Sequence, residues 1–345
     1  LSTLKDVSRL ANVSTSTVSR YLSGKLKVSD ETRRRIESAV KMLDYRPNLL
    51  GRSLVERKSR IIGLIVPSLS NFFYAYIAEI IGNMAFEAGY KLLLCVTNRT
   101  MEKEEAYAGL LAQRLVDGVI YMGVHVKNMK LLNAVVRGLP LVLLDEGVEG
   151  IGGVPCVWAD NYGGAGDAVR HLLGLGHRDI AFVGGNKGLE SSKERYRGFR
   201  DALAQSAVSV HPEWVIYGEY TEEWGAEACE LLFGKENLKI FPTAVFAAND
   251  LIAIGLLERA KIKGMRVPDD VSVVGFDDIQ PATYCSPPLS TVRQPYEEMG
   301  RAAFQLLLDT LEGGNTREIV QVFPTELIMR GSTSSATVSR RFSSA

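Results

Sequence analysis

Apolar positions in the first sixty residues recur three and four apart. Leu4, Val7, Leu10 and Ala11 form one such set, Val18 and Leu22 a second, and Val28, Ile36, Val40 and Leu43 a third. This spacing predicts three short helices, each with one inward stripe. Thr3-x-x-Asp6 has the form of a capping box at the first helix, and Asn12-Val13 makes the turn after it. Ser14 is the expected N-cap of a second helix running to about Leu22. The third begins after Ser29, with Asp30 and Glu31 in its first turn, where the helix dipole favours acids.

From Arg60 the pattern changes to short β-branched runs separated by helical ones. Residues 61–66, 91–96, 118–122 and 141–145 read as buried parallel strands, with helices between them that include 74–87 and 102–114. Residues 180–184, 244–248 and 271–276 make a second set. The expected class is α/β, with two doubly wound units in one body behind a small helical head. Strand 289–293 and helix 296–312 are expected to cross back to the first unit. The Ser/Thr-rich tail from 332 to 345 is expected to be disordered. This divides the chain into a head (1–46), a linker (47–59), a body (60–331) and a tail (332–345).

Charge sharpens this division. The net charge is zero, yet residues 1–60 hold 14 Lys+Arg against 6 Asp+Glu, leaving 26 against 34 for the rest. A head at +8 on a body at −8 points to a polyanion partner for the head alone. The second helix fits that role. It would present Thr15, Ser16, Thr17, Ser19 and Arg20, whose hydroxyls suit phosphates and base edges and whose guanidinium can pair bidentately with guanine. A small helical interaction domain is the plainer alternative. In the third helix, Arg33, Arg34 and Arg35 are equally compatible with phosphate contacts and with a solvated face.

The run Leu4-Lys5-Asp6-Val7, Ala11-Asn12-Val13-Ser14 and Thr17-Val18-Ser19-Arg20 resembles the lactose-repressor/galactose-repressor family of bacterial transcription regulators. The likeness continues through Val28-Ser29, Tyr45-Arg46-Pro47-Asn48 and Arg52-Ser53-Leu54, and then covers nearly the whole chain to about Gly331. It implies a helix-turn-helix head, a hinge helix formed on DNA, and a two-lobed core like that of periplasmic sugar-binding proteins. It also implies a homodimer on double-stranded, palindromic operator DNA. Leu54 matches the residue that wedges into a minor-groove base step, which gives an exposed leucine in a basic linker a physical purpose. Gly51 stands where relatives usually carry Ala and costs about 1 kcal/mol in a helix. Val55 stands where some relatives place a basic residue.

Two α/β lobes make a cleft where the carboxyl ends of both sheets meet, which is the expected ligand position. The resemblance maps Phe73 and Tyr74, after the first strand, onto ligand contacts, and aromatic faces can stack on a ring. It does the same for Asp160, Ser191, Arg195 (in Arg-x-x-Gly-Phe) and Tyr220. Arg195 offers five donors in a fixed fork, with an interlobe salt bridge as its structural alternative. Asn249 and Asp250 follow strand 244–248, and Asp277 follows strand 271–276. Amide and carboxylate groups there suit vicinal hydroxyls, so a small sugar-like effector is expected. A purine between Phe73, Tyr74 and Tyr220 is the alternative. Asp250 has a competing local role as a helix cap.

Other chemistry is weakly supported. Gly184-Gly185-x-x-Gly188 lacks the full dinucleotide spacing, and His177-Arg178-Asp179 lacks the rest of a kinase set. No Ser-His-Asp or Cys-His set assembles, which disfavours a sugar-modifying enzyme with a DNA-binding head. Cys95, Cys156, Cys229 and Cys285 are expected to be free thiols, and the four histidines show no ligand spacing, so no metal or cofactor is expected. No apolar run reaches about 18 residues, and no signal peptide precedes the head, so a cytoplasmic protein without membrane contact is expected. The tail lacks an apolar heptad repeat, which argues against a coiled-coil tetramer.

Overall fold

The computed structural model describes residues 2–45, 58–125, 127–234 and 241–336. The chain forms two compact units, residues 1–60 and 61–345. The linker carrying Gly51, Leu54 and Val55 lies outside the described residues.

In the first unit, α1 (Leu4–Ala11), α2 (Thr15–Leu22) and α3 (Asp30–Met42) close around Val7, Ala11, Val18, Ile36 and Ala39. The capping box is present: the Thr3 hydroxyl accepts from the Asp6 amide, and the Asp6 carboxylate accepts from the Thr3 amide. Asn12 ends α1 in the left-handed region at φ 53°, a conformation Asn tolerates better than most residues. Ser14 and Ser29 cap α2 and α3.

The second unit holds two sheets. The first lobe contains β1 (Ile61–Val66), α4 (Phe72–Glu87), β2 (Lys91–Val96) and α5 (Met101–Leu110). It continues with β3 (Gly118–Tyr121), α6 (Met129–Val136), β4 (Leu141–Leu144) and β5 (Cys156–Ala159). The predicted helix 102–114 ends in a π turn at Leu111–Leu115. The chain then crosses to the second lobe through α7 (Asn161–Gly174), β6 (Ile180–Gly184), α8 (Glu190–Gln205) and β7 (Val215–Tyr217). There follow α9 (Glu222–Phe233), β8 (Ala244–Ala247), α10 (Asp250–Ile262), β9 (Ser272–Asp277) and β10 (Ser290–Arg293).

The expected return of strand 289–293 to the first unit is corrected. β10 stays in the second lobe, parallel to β9 in a register that sets Arg293 opposite Asp277. The following helix, α11 (Tyr296–Leu311), does return, and Met299, Phe304 and Leu307 fill the core of the first lobe. Two last strands divide between the lobes. β11 (Val320–Phe323) runs parallel to β5, and β12 (Glu326–Ile328) runs antiparallel to β10. The sheet orders are β11-β5-β4-β3-β1-β2 and β12-β10-β9-β8-β6-β7. Leu251 and Ile254 of α10 pack into the core of the first lobe, so an apolar seam joins the two halves of this unit.

Helices α9 and α10 lie so close that a Cβ at Gly255 would come within 1.9 Å of the Glu222 carbonyl oxygen. The glycine is what allows that approach.

The tail does not begin at Ser332 as expected. Ser332 is fully buried; its hydroxyl donates to the Val273 carbonyl (2.6 Å) and accepts from the Ser290 amide (2.7 Å). The Ser334 carbonyl accepts from Nε2 of buried His177 at 3.0 Å. These partners are distant in sequence, so no local pattern announces them. Residues 337–345 lie outside the described set. Replacing Ser332 with Ala strands two buried backbone groups, for which a loss of about 1–3 kcal/mol is expected. Urea unfolding of the variant should show a lower midpoint with an unchanged slope.

Candidate functional site

Most walls of the cleft are built from residues that follow the carboxyl ends of strands, and one helix supplies the rest. Asn71, Phe73 and Tyr74 follow β1, Asp145 and Glu146 follow β4, and Tyr220 follows β7. Asn249 follows β8, Asp277 ends β9, Gln294 follows β10, and α8 supplies Ser191 and Arg195. The cavity they leave is only about 20 Å³, room for about one water molecule, so these walls stand close together.

Arg195 stands at the centre and is 3% exposed. Its Nε donates to Asn161 Oδ1 (2.8 Å), its Nη1 donates to the Ala248 carbonyl (2.5 Å), and Nη1 lies 3.5 Å from Asp277 Oδ1. The guanidinium rests on the Phe276 ring at 3.8 Å from the centroid, a cation–π arrangement suited to a site shielded from water. Gln294 Nε2 donates to Asp277 Oδ1 at 2.7 Å. Asp277 adopts φ 115° and Asp278 φ 57°, sparsely populated backbone for non-glycine residues and of a kind found at ligand sites.

The cleft is rich in buried carboxylates. Burial pushes the Asp277 carboxyl up to about 6, against the pull of Arg195 and Gln294. It pushes Glu146 up to about 7, although Ser191 and Arg195 act the other way. Asp145 is held well above the usual carboxylate range, by burial first and then by the charge of Glu146. Asp145 Oδ1 and Gln294 Oε1 are buried acceptors without a hydrogen-bond partner among the described residues.

Seven of the nine predicted ligand residues meet in this cavity: Phe73, Tyr74, Ser191, Arg195, Tyr220, Asn249 and Asp277. Asp160 is not among the cavity walls; it caps α7 by accepting from the Gly163 amide at 2.8 Å. Asp250 also lies off the cavity walls. It is fully buried and accepts from the Thr291 hydroxyl (2.5 Å) and the Ile279 amide (2.8 Å), while Asn249 is the residue that caps α10. Asp145, Glu146 and Gln294 were missed, although each follows a strand end by the same rule that found Asp277. The glycine pair at 184–185 has a packing role. A Cβ on Gly185 would come within 2.4 Å of the Tyr220 ring.

In the head, Ser16, Ser19 and Arg20 are exposed on α2, while Thr15 and Thr17 are half-buried. Thr15 Oγ1 lies 3.3 Å from Ser8 Oγ, and Thr17 Oγ1 lies 2.8 Å from the capping Ser14 hydroxyl. Leu54 lies outside the described residues. Ser16 Oγ likewise lies 2.8 Å from the Ser14 hydroxyl, so Ser16, Ser19 and Arg20 form the exposed outer face while the two threonines are drawn partly into the framework.

Comparison with known proteins places this geometry. Residues 3–48 match the family described as bacterial regulatory proteins, lacI family, and residues 169–333 match the periplasmic binding protein-like domain. The HTH-type transcriptional repressor PurR of Histophilus somni (strain 129Pt) is 33% identical over 334 residues, 96% of this chain and 99% of that protein. The chain belongs to the lacI family of bacterial regulatory proteins. Among solved structures, a transcriptional regulator CelR–cellobiose complex is 34% identical, with a TM-score of 0.72 over 96% of this chain and 100% of the other. The lac repressor dimer bound to operator and the anti-inducer ONPF is 26% identical, with a TM-score of 0.82 over 96% and 99%. As a member of this family the chain is a transcriptional regulator with a DNA-binding helix-turn-helix head and an effector-binding body. Among the described residues, no helix is long and apolar enough to cross a membrane, and no group of three or more His, Cys, Asp or Glu could hold a metal ion.

The raised carboxyls make stability depend on pH. A carboxyl whose native value lies above its unfolded one holds an extra proton in the native state between the two. Stability therefore falls as pH rises from about 4 through 6 to 7. Thermal melts of the ligand-free protein between pH 5 and 7.5 should show this decline, and a D277N/E146Q double variant should show a shallower one.

Proposed function

We propose that this protein is a repressor that binds a palindromic operator as a homodimer and is controlled by a small polyhydroxylated effector, a sugar or sugar derivative, in the interlobe cleft. One observation carries the effector class: the cavity is lined by acceptors that want hydroxyl donors. Asp145 Oδ1 and Gln294 Oε1 are unpartnered there, and Asp277 and Asn249 stand beside them. A buried acceptor left unpaired costs about 1–3 kcal/mol, so a ligand that donates to it gains strongly. A sugar ring offers several hydroxyls at once, and its apolar face can lie against Tyr74 or Tyr220. The 34%-identical regulator solved with cellobiose supports the same class.

A purine is the second reading, favoured by the three aromatic rings and by kinship with repressors named PurR. Phe73 and Tyr74 meet edge to face at 5.2 Å and 68°, so a base would have to stack between one of them and Tyr220.

On the DNA side, α2 would lie in the major groove with Arg20, Ser16 and Ser19 outward, two heads reading two half-sites. One head offers too few contacts for tight specific binding, which supports a dimer. The effector acts by binding one lobe arrangement better than the other, and it alters operator affinity by that difference alone.

Calorimetric screening against sugars, sugar acids, sugar phosphates and purines tests the effector class; a purine hit without a sugar hit would overturn it. For a sugar hit, D277N should weaken binding about 10- to 100-fold, since a hydrogen bond to a charged group is worth about 1.5–3 kcal/mol. In a salt-controlled gel-shift series on the selected operator, Arg20→Ala should reduce the preference over random DNA by about 10-fold or more, from the loss of one base-pair contact.

A further inference from the structure

Glu146 belongs to the first lobe, two residues past the end of β4, yet the groups that hold its carboxylate belong to the second. Helix α8 begins after Leu189, which supplies no side-chain cap, so its first amides need an acceptor from elsewhere. Glu146 Oε2 accepts from the Glu190 amide at 3.0 Å and from the Ser191 amide at 3.4 Å, and Oε1 accepts from the Ser191 hydroxyl. The positive end of the helix dipole lies under this anion, which is 3% exposed. A second link spans the same cleft. Arg99, just past β2 in the first lobe, donates from Nη2 to the Tyr220 carbonyl in the second at 3.3 Å.

We propose that Glu146 is a built-in clasp between the lobes: by capping α8 from across the cleft, it favours the closed arrangement before any effector binds. The proposal rests on the cleft being the effector site. Its consequence there is a population effect. The apparent affinity of an effector scales with the fraction of protein already in the competent arrangement, so this carboxylate helps set effector affinity without needing to touch the effector. Losing an N-cap shifts such an equilibrium by about 2- to 30-fold.

The charge on the clasp has a definite sign. The groups facing it are Asp145 on its own loop, Tyr74 of α4, Arg195 of α8, Tyr220 after β7 and Asp277 of β9. In the closed cleft burial pushes the Glu146 carboxyl to about 7, from an ordinary value of 4.5. Opening the cleft returns it to water, so the closed state holds the extra proton and rising pH loosens the clasp. Asp145 and Asp277 act in the same direction, and Arg195 opposes them. Glu146→Gln separates the effects, because its amide oxygen still accepts from α8 and does not titrate.

The test uses the full chain without ligand. Hydrogen-exchange protection of the Glu190 and Ser191 amides is measured together with the radius of gyration, for wild type, E146A and E146Q at pH 6 and pH 8. The expected result is an approximately 10-fold loss of protection in E146A with a larger radius. E146Q should stay closed and respond to pH less than wild type. Wild-type protection and radius in E146A would overturn the proposal. Should E146A fail to fold, an equal pH response in wild type and E146Q would overturn it instead. No effector enters the experiment, so a negative result leaves the sugar reading intact, and a sugar screen without a hit leaves the clasp intact.

Discussion

A guanidinium removed from water has to be met on every side, and the cleft is arranged around meeting Arg195. Asn161 holds its Nε from the start of α7, the Ala248 carbonyl takes Nη1 at the end of β8, Asp277 supplies the counter-charge from β9, and the Phe276 ring lies beneath it. Three elements of the second lobe thus converge on one side chain from α8. The desolvation of such a group is repaid only when hydrogen bonds and charge are both supplied. The same atoms that satisfy the arginine therefore fix the strand ends that face the cavity.

Around this satisfied cation stand carboxylates that are less well served. Asp277 shares its acceptors with Arg195 and Gln294, and Glu146 is held by the first turn of α8, while Asp145 keeps one oxygen unpaired. The cleft is thus preorganised on one side and under-satisfied on the other. That asymmetry fits a regulator, whose site must respond to a ligand.

The sequence was legible where the physics is local. Caps at Ser14 and Ser29, the turn at Asn12 and the apolar stripe of Val7, Ala11 and Val18 could all be read within one or two helical turns. Runs such as 61–66 and 180–184 declared themselves as buried strands because parallel strands are apolar on both faces. In the cleft, the strand-end rule located Asn249 and Asp277, and resemblance located Arg195 and Tyr220. Asp160 and Asp250 satisfy the same rule and stand off the cavity walls, because their carboxylates are taken up by the Gly163 amide and the Thr291 hydroxyl. The lobe to which β10 belongs and the burial of Ser332 depend on pairings across dozens of residues, which no window of the sequence contains.

The chain passes between the lobes at residue 160, again after Arg293, and a third time between Phe323 and Glu326. Neither lobe is therefore a continuous stretch of sequence. During synthesis the first lobe has its central strands within about the first 160 residues, but α11, which fills its core, and β11, which closes one edge of its sheet, emerge only after nearly the whole second lobe has left the ribosome. Until then Val157 and Leu144 lack their covering helix. The unfinished half is thus left holding a partly exposed apolar face while the second lobe is made, and its completion waits on residues 296–323.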